Sequence, residues 1–398
     1  MRLTRRSLIA AMPLAAACSG AARAQVLHVA PGGEGDGGSW DNAASLLELD
    51  DLIGRVAPGG EILLAANRGV YELEDAIQVA SGGRAGRRVR VRGVNTLSGD
   101  TQWAVMRGVR GGEEEGADGF RLLRGANHLH FSHLSFERFG NGCFRAGGPI
   151  SDLTVEDCTF DTVYRFFENT ASDGERQASV RSFVLRRCFG GNAERGFARI
   201  RYASSNGLIE DCRARGLPNE EGYIPAGCAL DDEAHTITLR RCVMENFQQW
   251  RAGDYWNGDG FSDEFDNHGI VYEACEARGS TDGGFDCKSE GVVLRDCVAE
   301  DNKRNFRIWS AEATLERCTS RNPNFRGEAE ESASACHLWI GHEEANVRID
   351  DLTIVDAAAE PIVEFEHDDA RVEIRGLAID APRENWGEGQ DQVEIVSR

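Results

Sequence analysis

The chain has 398 residues, of which 44 are basic and 66 acidic, giving a net charge of −22. So acidic a protein is not drawn to nucleic acid or to an anionic membrane surface, which excludes both as principal partners. No apolar run reaches the length of a membrane span, and arginine supplies all of the basic residues except Lys288 and Lys303.

Residues 1–24 read as an export leader. Thr4-Arg5-Arg6-Ser7-Leu8-Ile9 is a twin-arginine signature, an apolar run from Leu8 to Ala17 follows, and Ala22-Arg23-Ala24 offers a cleavage site before Gln25. The segment holds four arginines and no acid, so its removal takes the charge from −22 to −26. A periplasmic or extracellular destination is expected. A lipid anchor on Cys18 is the alternative, with Ala15 standing where such a site prefers leucine. The rest, 25–398, is expected to form one domain and to be monomeric.

After a Gly-rich turn, the spacing predicts a short amphipathic helix near Ala43–Ile53, started by Ser39 or Asp41 and stopped around Pro58-Gly59-Gly60. A strand, EILLA, comes next. This beginning resembles that of secreted right-handed parallel β-helix proteins, where a helix covers the first open coil and its strand edges.

From Val89 onward one pattern recurs: apolar–x–apolar–x–x, then a buried position. Cysteine fills that position at 158, 188, 212, 242, 275, 297 and 318; Val94, Leu134, Leu352 and Leu377 fill it elsewhere. A site that accepts Cys, Leu or Val is apolar and internal, so the cysteines read as a ladder of unpaired thiols and not as disulfides. The repeat is tightest between Asn257 and Ser310. Phe261, Phe285 and Phe306 lie 14, 12 and 12 residues before Cys275, Cys297 and Cys318. Such regular spacing marks a stacked, quasi-one-dimensional fold. With the resemblance at the N-terminal end, it implies an all-β, single-stranded right-handed parallel β-helix similar to the pectin lyase-like proteins, of about ten coils with an N-terminal capping helix.

Within Phe306–Trp309, alternation sends Phe306 and Ile308 inward and Arg307 and Trp309 outward. Neighbouring coils then supply two outer files. Ser262, Asp286, Arg307 and His337 form one; Glu264, Lys288, Trp309 and Trp339 form the other, with steps of about 4.8 Å. Acids, bases and two indoles on one face suit a sugar, which has apolar C–H faces and hydroxyl edges. Trp309, Trp339, His337, Lys303 and Arg304 are the expected substrate contacts. His128, His130 and His133 are read as outward and solvated, because Leu129, Phe131 and Leu134 take the inward positions. Asp263 fits neither scheme, since alternation points it inward behind Phe261.

GDGFSDEFDNHGIVYEACEARGSTDGGFDCK, followed by NFRIW, resembles the core of family nine pectate lyases. That family has a DGF segment, a coil ending in a DDGxD cluster and a GFK segment. Its aspartates bind calcium and its lysine is the base. The resemblance implies calcium ligation by Asp259, Asp282 and Asp286; Gly283 stands where the second cluster aspartate belongs, a loss that Glu264 or a backbone carbonyl would make up. Arg307 stands at the lysine position. The implied reaction is calcium-dependent β-elimination on an acidic, uronate-containing polysaccharide, in which a base removes the C5 proton beside a carboxylate. Arg307 holds the family position of that base, and Lys288 is the better proton acceptor by chemistry. Two alternatives stand beside it. Ser280-Thr281-Asp282-Gly283 and the Asp231-Asp232 pair partly match polygalacturonase-type inverting hydrolases, although RIW replaces their RIK and no GHG occurs. A groove of this kind also suits a non-catalytic polysaccharide-binding protein.

Overall fold

The computed structural model describes residues 25–56, 58–110, 116–218, 223–251, 253–327 and 334–396. The leader assigned to 1–24, with Cys18, lies outside them. Alternating apolar residues make short strands, and each strand hydrogen-bonds to its equivalent one turn earlier and one turn later. Among the described residues, 32 strands join into a single connected sheet wound as a right-handed parallel β-helix. A full turn lays a stretch of strand on each of three faces, and some strands, such as Thr159–Asn169 and Phe189–Ile200, bend through two of them. In the central turns the three stretches are His268–Glu273 on the first face, Glu276–Arg278 on the second and Gly283–Cys287 on the third. Eleven strands stack on the third face, from Ile77–Val79 to Val363–Phe365, close to the expected ten coils.

The internal ladder has a backbone cause. His133, Asp157, Arg187, Asp211, Arg241, Ala274, Asp296, Arg317 and Asp351 have φ between 50° and 65°, and each immediately precedes a ladder position. One left-handed residue thus turns the chain from the first face to the second, and the next side chain falls inside. Asp tolerates this conformation well. Three of the arginines at this corner pair with an Asp at the equivalent corner one turn earlier: Arg187 with Asp157, Arg241 with Asp211 and Arg317 with Asp296, at 2.7, 2.6 and 2.7 Å. The cysteines of the ladder are buried and free. Those at 212, 242, 275, 297 and 318 each place Sγ 3.3–3.6 Å from a carbonyl of the preceding turn. A thiol can donate weakly there, so its one polar group is not stranded in the core.

The phenylalanines of the tight repeat also stack. Phe261 lies 4.9 Å from Phe285 and Phe285 5.4 Å from Phe306, with ring planes within 11° of parallel. Leu129, Phe131 and Leu134 are fully buried, as alternation requires. At the N-terminal end the helix is shorter than expected. Ser39 and Ser45 cap separate 3-10 turns, Trp40–Asn42 and Leu46–Glu48, before the α-helix Leu49–Arg55. Ala44 pairs with Val29 between the two turns, which stops them merging. The helix still buries Leu49, Leu52 and Ile53 over the first coil. Among the described residues, no helix is long and apolar enough to cross a membrane.

Candidate functional site

One register line organises the outer side of the third face. Glu168, Arg199, Ala229, Ser262, Asp286, Arg307, Trp339 and Glu364 occupy equivalent positions on successive turns. Just beyond the strand ends, the backbone ladder continues through Asp231, Glu264, Lys288, Trp309 and Gly341. The expected files are therefore correct through Trp309 and shifted by two residues beyond it. Leu338, and not Cys336, stacks on Phe306, so Trp339 follows Arg307 and the Trp309 ring lies over Gly341. His337 falls level with Asn305 and is fully buried. It lies in a corner network, with Nδ1 2.7 Å from Ser320 Oγ and Nε2 3.4 Å from Asp356. A side chain without exposure cannot meet a sugar, so His337 is not a substrate contact. Burial pulls its pKa down to about 4, with Asp356 opposing.

Asp259, Asp282 and Asp286 do converge, as expected, and all three are buried. Asp259 begins its strand and accepts the Gly283 N–H at 2.8 Å. The missing side chain at Gly283 is what permits this: a Cβ there would lie 2.9 Å from Asp259 Oδ1. Asp282 meets Arg304 at 3.3 Å through one oxygen and Arg307 at 3.0 Å through the other. The Tyr255 hydroxyl also donates to Asp282 and accepts from Arg304 at 2.8 Å. Asp286 lies 3.2 Å from Lys288 and 3.5 Å from Arg307. Lys288 in turn reaches Glu264 at 2.8 Å.

These contacts set the protonation states. Burial opposes the charge on Lys288, but Asp286, Glu264 and Asp259 outweigh it and hold the ammonium above its usual range. Arg307 is likewise raised against its burial by Asp286 and Asp282. Both are therefore cations in the free protein, which removes either as a ready proton acceptor. Burial, then Asp286 and Asp282, push the Asp259 carboxyl well up. Lys303 behaves oppositely. It is buried with Nζ 3.8 Å over the Tyr255 ring, and burial followed by Arg304 draws its pKa down to about 8. Arg304 lies over Trp339 at 3.8 Å. Lys303 and Arg304 thus pack beneath Tyr255 and Trp339 and are less open to a ligand than expected.

The donor set does not fit calcium. Both oxygens of Asp282 and one of Asp286 already face guanidinium or ammonium groups, and Asp259 Oδ1 holds a backbone N–H. Four carboxylates, with Glu264, meet three cations, Lys288, Arg304 and Arg307. Calcium needs several ionised oxygens free to converge. Among the described residues, no three His, Cys, Asp or Glu groups are arranged to hold a metal ion.

The site opens into a cleft of about 450 Å³ running along the third face. Its floor includes the small residues Ala226, Ala229 and Ser262; Asp286, Lys288, Arg307 and Trp309 line one end, and Arg165, Arg195 and Arg199 the other. Phe265 and Ile224, 56% and 46% exposed, give it an apolar rim. Neither the three arginines nor Tyr255 was picked out from sequence. Asp263, unplaced by alternation, is inside the helix. It accepts the N–H groups of Lys288 and Ser289 at 2.9 and 2.6 Å and the Tyr272 hydroxyl at 2.8 Å. Asp231 and Asp232 form a turn and pair with Arg199 and Arg201 at 2.6 and 2.9 Å.

Fold and cleft together define a right-handed parallel β-helix protein with a charged trough on one outer face. Solved structures share this architecture. The Agl-KA catalytic domain aligns with a TM-score of 0.56 at 11% identity, over 85% of this chain and 63% of that one. The periplasmic alginate epimerase AlgG aligns at 0.51 and 10%, over 84% and 83%. Pectate lyase Pel9A aligns at 0.42 and 13%, over 92% and 80%. At these identities the likeness is one of fold. No family model matches the sequence, and no curated protein matches it.

Proposed function

We propose that this protein acts on an acidic polysaccharide and cleaves it by β-elimination at a uronate residue. The observation that carries the reading is a chain of contacts along the cleft floor: Glu264 to Lys288 at 2.8 Å, Lys288 to Asp286 at 3.2 Å and Asp286 to Arg307 at 3.5 Å. Arg307, permanently charged, takes the uronate carboxylate and so acidifies the adjacent C5–H. Glu264 is the exposed carboxylate of the set, 43% open at its side chain, and takes the C5 proton. As the C4–O bond breaks and the C4=C5 double bond forms, the Lys288 ammonium protonates the departing oxygen. Proton transfer from Glu264 back to Lys288 across their contact then restores both groups. Trp309, Phe265 and Ile224 meet the C–H faces of the sugars.

The calcium implied by the sequence resemblance has no step here, since Arg307 and Lys288 hold the carboxylates that would bind it. An epimerase of a polyuronate shares the fold, which supports a uronate ligand. Export by the twin-arginine leader fits a polysaccharide substrate outside the cytoplasm; replacing Arg5 and Arg6 by Lys should leave the protein in the cytoplasmic fraction.

The test is ultraviolet absorbance of an unsaturated product on a panel of polyuronates. Glu264→Gln should remove it, with a loss of about a hundredfold to ten-thousandfold and an unchanged fold. Wild-type protein silent on every polyuronate overturns the elimination. Inverting hydrolysis is the second reading, favoured by two carboxyl groups lining the cleft together, Asp259, which burial pushes up, and Asp286. It would release reducing ends without absorbance.

A further inference from the structure

The far end of the cleft holds cations that the elimination does not use. Arg165 is paired with Glu168 at 2.7 Å and Arg199 with Asp231 at 2.6 Å. Arg195 has no carboxylate partner among the described residues. Its guanidinium lies 4.9 Å over the Tyr223 ring and 5.8 Å over Tyr164, and it donates to the Tyr164 hydroxyl at 2.6 Å. Its Nε is buried without a hydrogen-bond partner. Aromatic faces fix such a cation in place without neutralising it. An anion arriving from the cleft would complete it.

We propose that Arg195 is a second carboxylate-binding subsite, which makes this protein a reader of acidic oligosaccharides of about five sugars or more. Arg199, four residues after Arg195 on the same strand, Phe189–Ile200, is four register steps from Arg307, through Ala229, Ser262 and Asp286. At about 4.8 Å a step, this spans roughly 19 Å. A 1,4-linked pyranose chain advances by roughly one strand spacing per sugar, so a chain lying along the helix axis places carboxylates at both ends of the trough. Ala226, Ala229 and Ser262 keep the floor between them low enough for the intervening rings. The subsite shares with the proposed function only the premise of a polyuronate ligand, and does not need turnover.

The test is equilibrium binding of oligogalacturonates and oligomannuronates of two to eight sugars, in a Glu264→Gln background that blocks cleavage. Affinity should rise about tenfold or more once the chain reaches about five sugars. Arg195→Gln should abolish that step without changing the binding of trimers, and Arg195→Lys should restore part of it. A step that is absent, or that survives Arg195→Gln, overturns the subsite, as does failure of both series to bind. An Arg195-dependent step in a protein whose wild type yields no unsaturated product keeps the subsite and sinks the elimination. Product without a step does the reverse.

Discussion

Asp263 lies inside the helix and Lys288 outside it, yet Asp263 Oδ1 holds the backbone N–H of Lys288 at 2.9 Å. The same oxygen takes the Ser289 N–H, and the other takes the Tyr272 hydroxyl. A core carboxylate therefore fixes the corner from which Lys288 reaches the cleft. Asn at 263 can still accept both N–H groups and offer its amide to Tyr272, so Asp263→Asn should be mild. Asp263→Leu strands three polar groups, at about 1–3 kcal/mol each. Denaturant midpoints should show the leucine variant destabilised by about 3 kcal/mol or more, with activity lost beyond its loss of fold. Equal midpoints for the two variants would refute this anchor.

The two cleft cations should respond differently to conservative exchange. Lys288→Arg keeps the charge and the pairing with Asp286 and Glu264, but arginine does not surrender its proton. Turnover should fall about a hundredfold to ten-thousandfold with little change in KM. Arg307→Lys keeps the charge and loses the forked grip on a carboxylate, so KM should rise about tenfold and kcat change less. A Lys288→Arg enzyme with full turnover would remove Lys288 as the proton donor.

How far the sequence led depended on whether core residues marked the register. The cysteine ladder was legible because a left-handed corner residue precedes each position and fixes its direction. The phenylalanine spacing likewise put Asp286, Lys288 and Arg307 on neighbouring turns, while Asp259 and Asp282 came from the family resemblance. At 336–340 the cue failed: His337 and Trp339 mimic Arg307 and Trp309, but Leu338 is the residue that packs on Phe306. Near Arg199 a bulge hides the register. Two steps along one strand, Val163 to Arg165, match three along the next, Ala193 to Gly196. Ala198, and not the conspicuous Phe197, consequently occupies the inward line, and aligning on phenylalanine would turn Arg199 into the core. Tyr255 comes from a loop with no periodicity to place it.

Calcium should distinguish the wild type from a variant lacking the site's central cation. Arg307 spans Asp282 and Asp286, so calcium in the wild type meets carboxylates already neutralised. Its addition should leave the melting temperature unchanged. Arg307→Ala frees an oxygen of Asp282 and removes one of the two cations on Asp286, and calcium should then raise the melting temperature by mass action. Stabilisation of the wild type by calcium, with none in the variant, would show that the expected metal site operates after all.

The last prediction concerns His337 and acid. Burial lowers its pKa from 6.5 to about 4, so between those values the unfolded chain binds a proton that the folded protein refuses. Stability rises with pH wherever the unfolded state binds more protons. The contribution of neutral His337 is therefore complete above about pH 6.5 and is lost as pH falls through the folded pKa near 4. The loss is at most about 3 kcal/mol. Asn at this position can keep a hydrogen bond to Ser320, matches the neighbouring Asn305 and does not titrate. His337→Asn should shift the acid unfolding midpoint to lower pH while stability at pH 8 changes little, as followed by circular dichroism or denaturant titration across pH 3–8. Carboxylates titrating in the same range are common to both proteins, so the difference between the two curves isolates the imidazole. Superimposable acid transitions would mean that His337 is not the group whose protonation opens this corner.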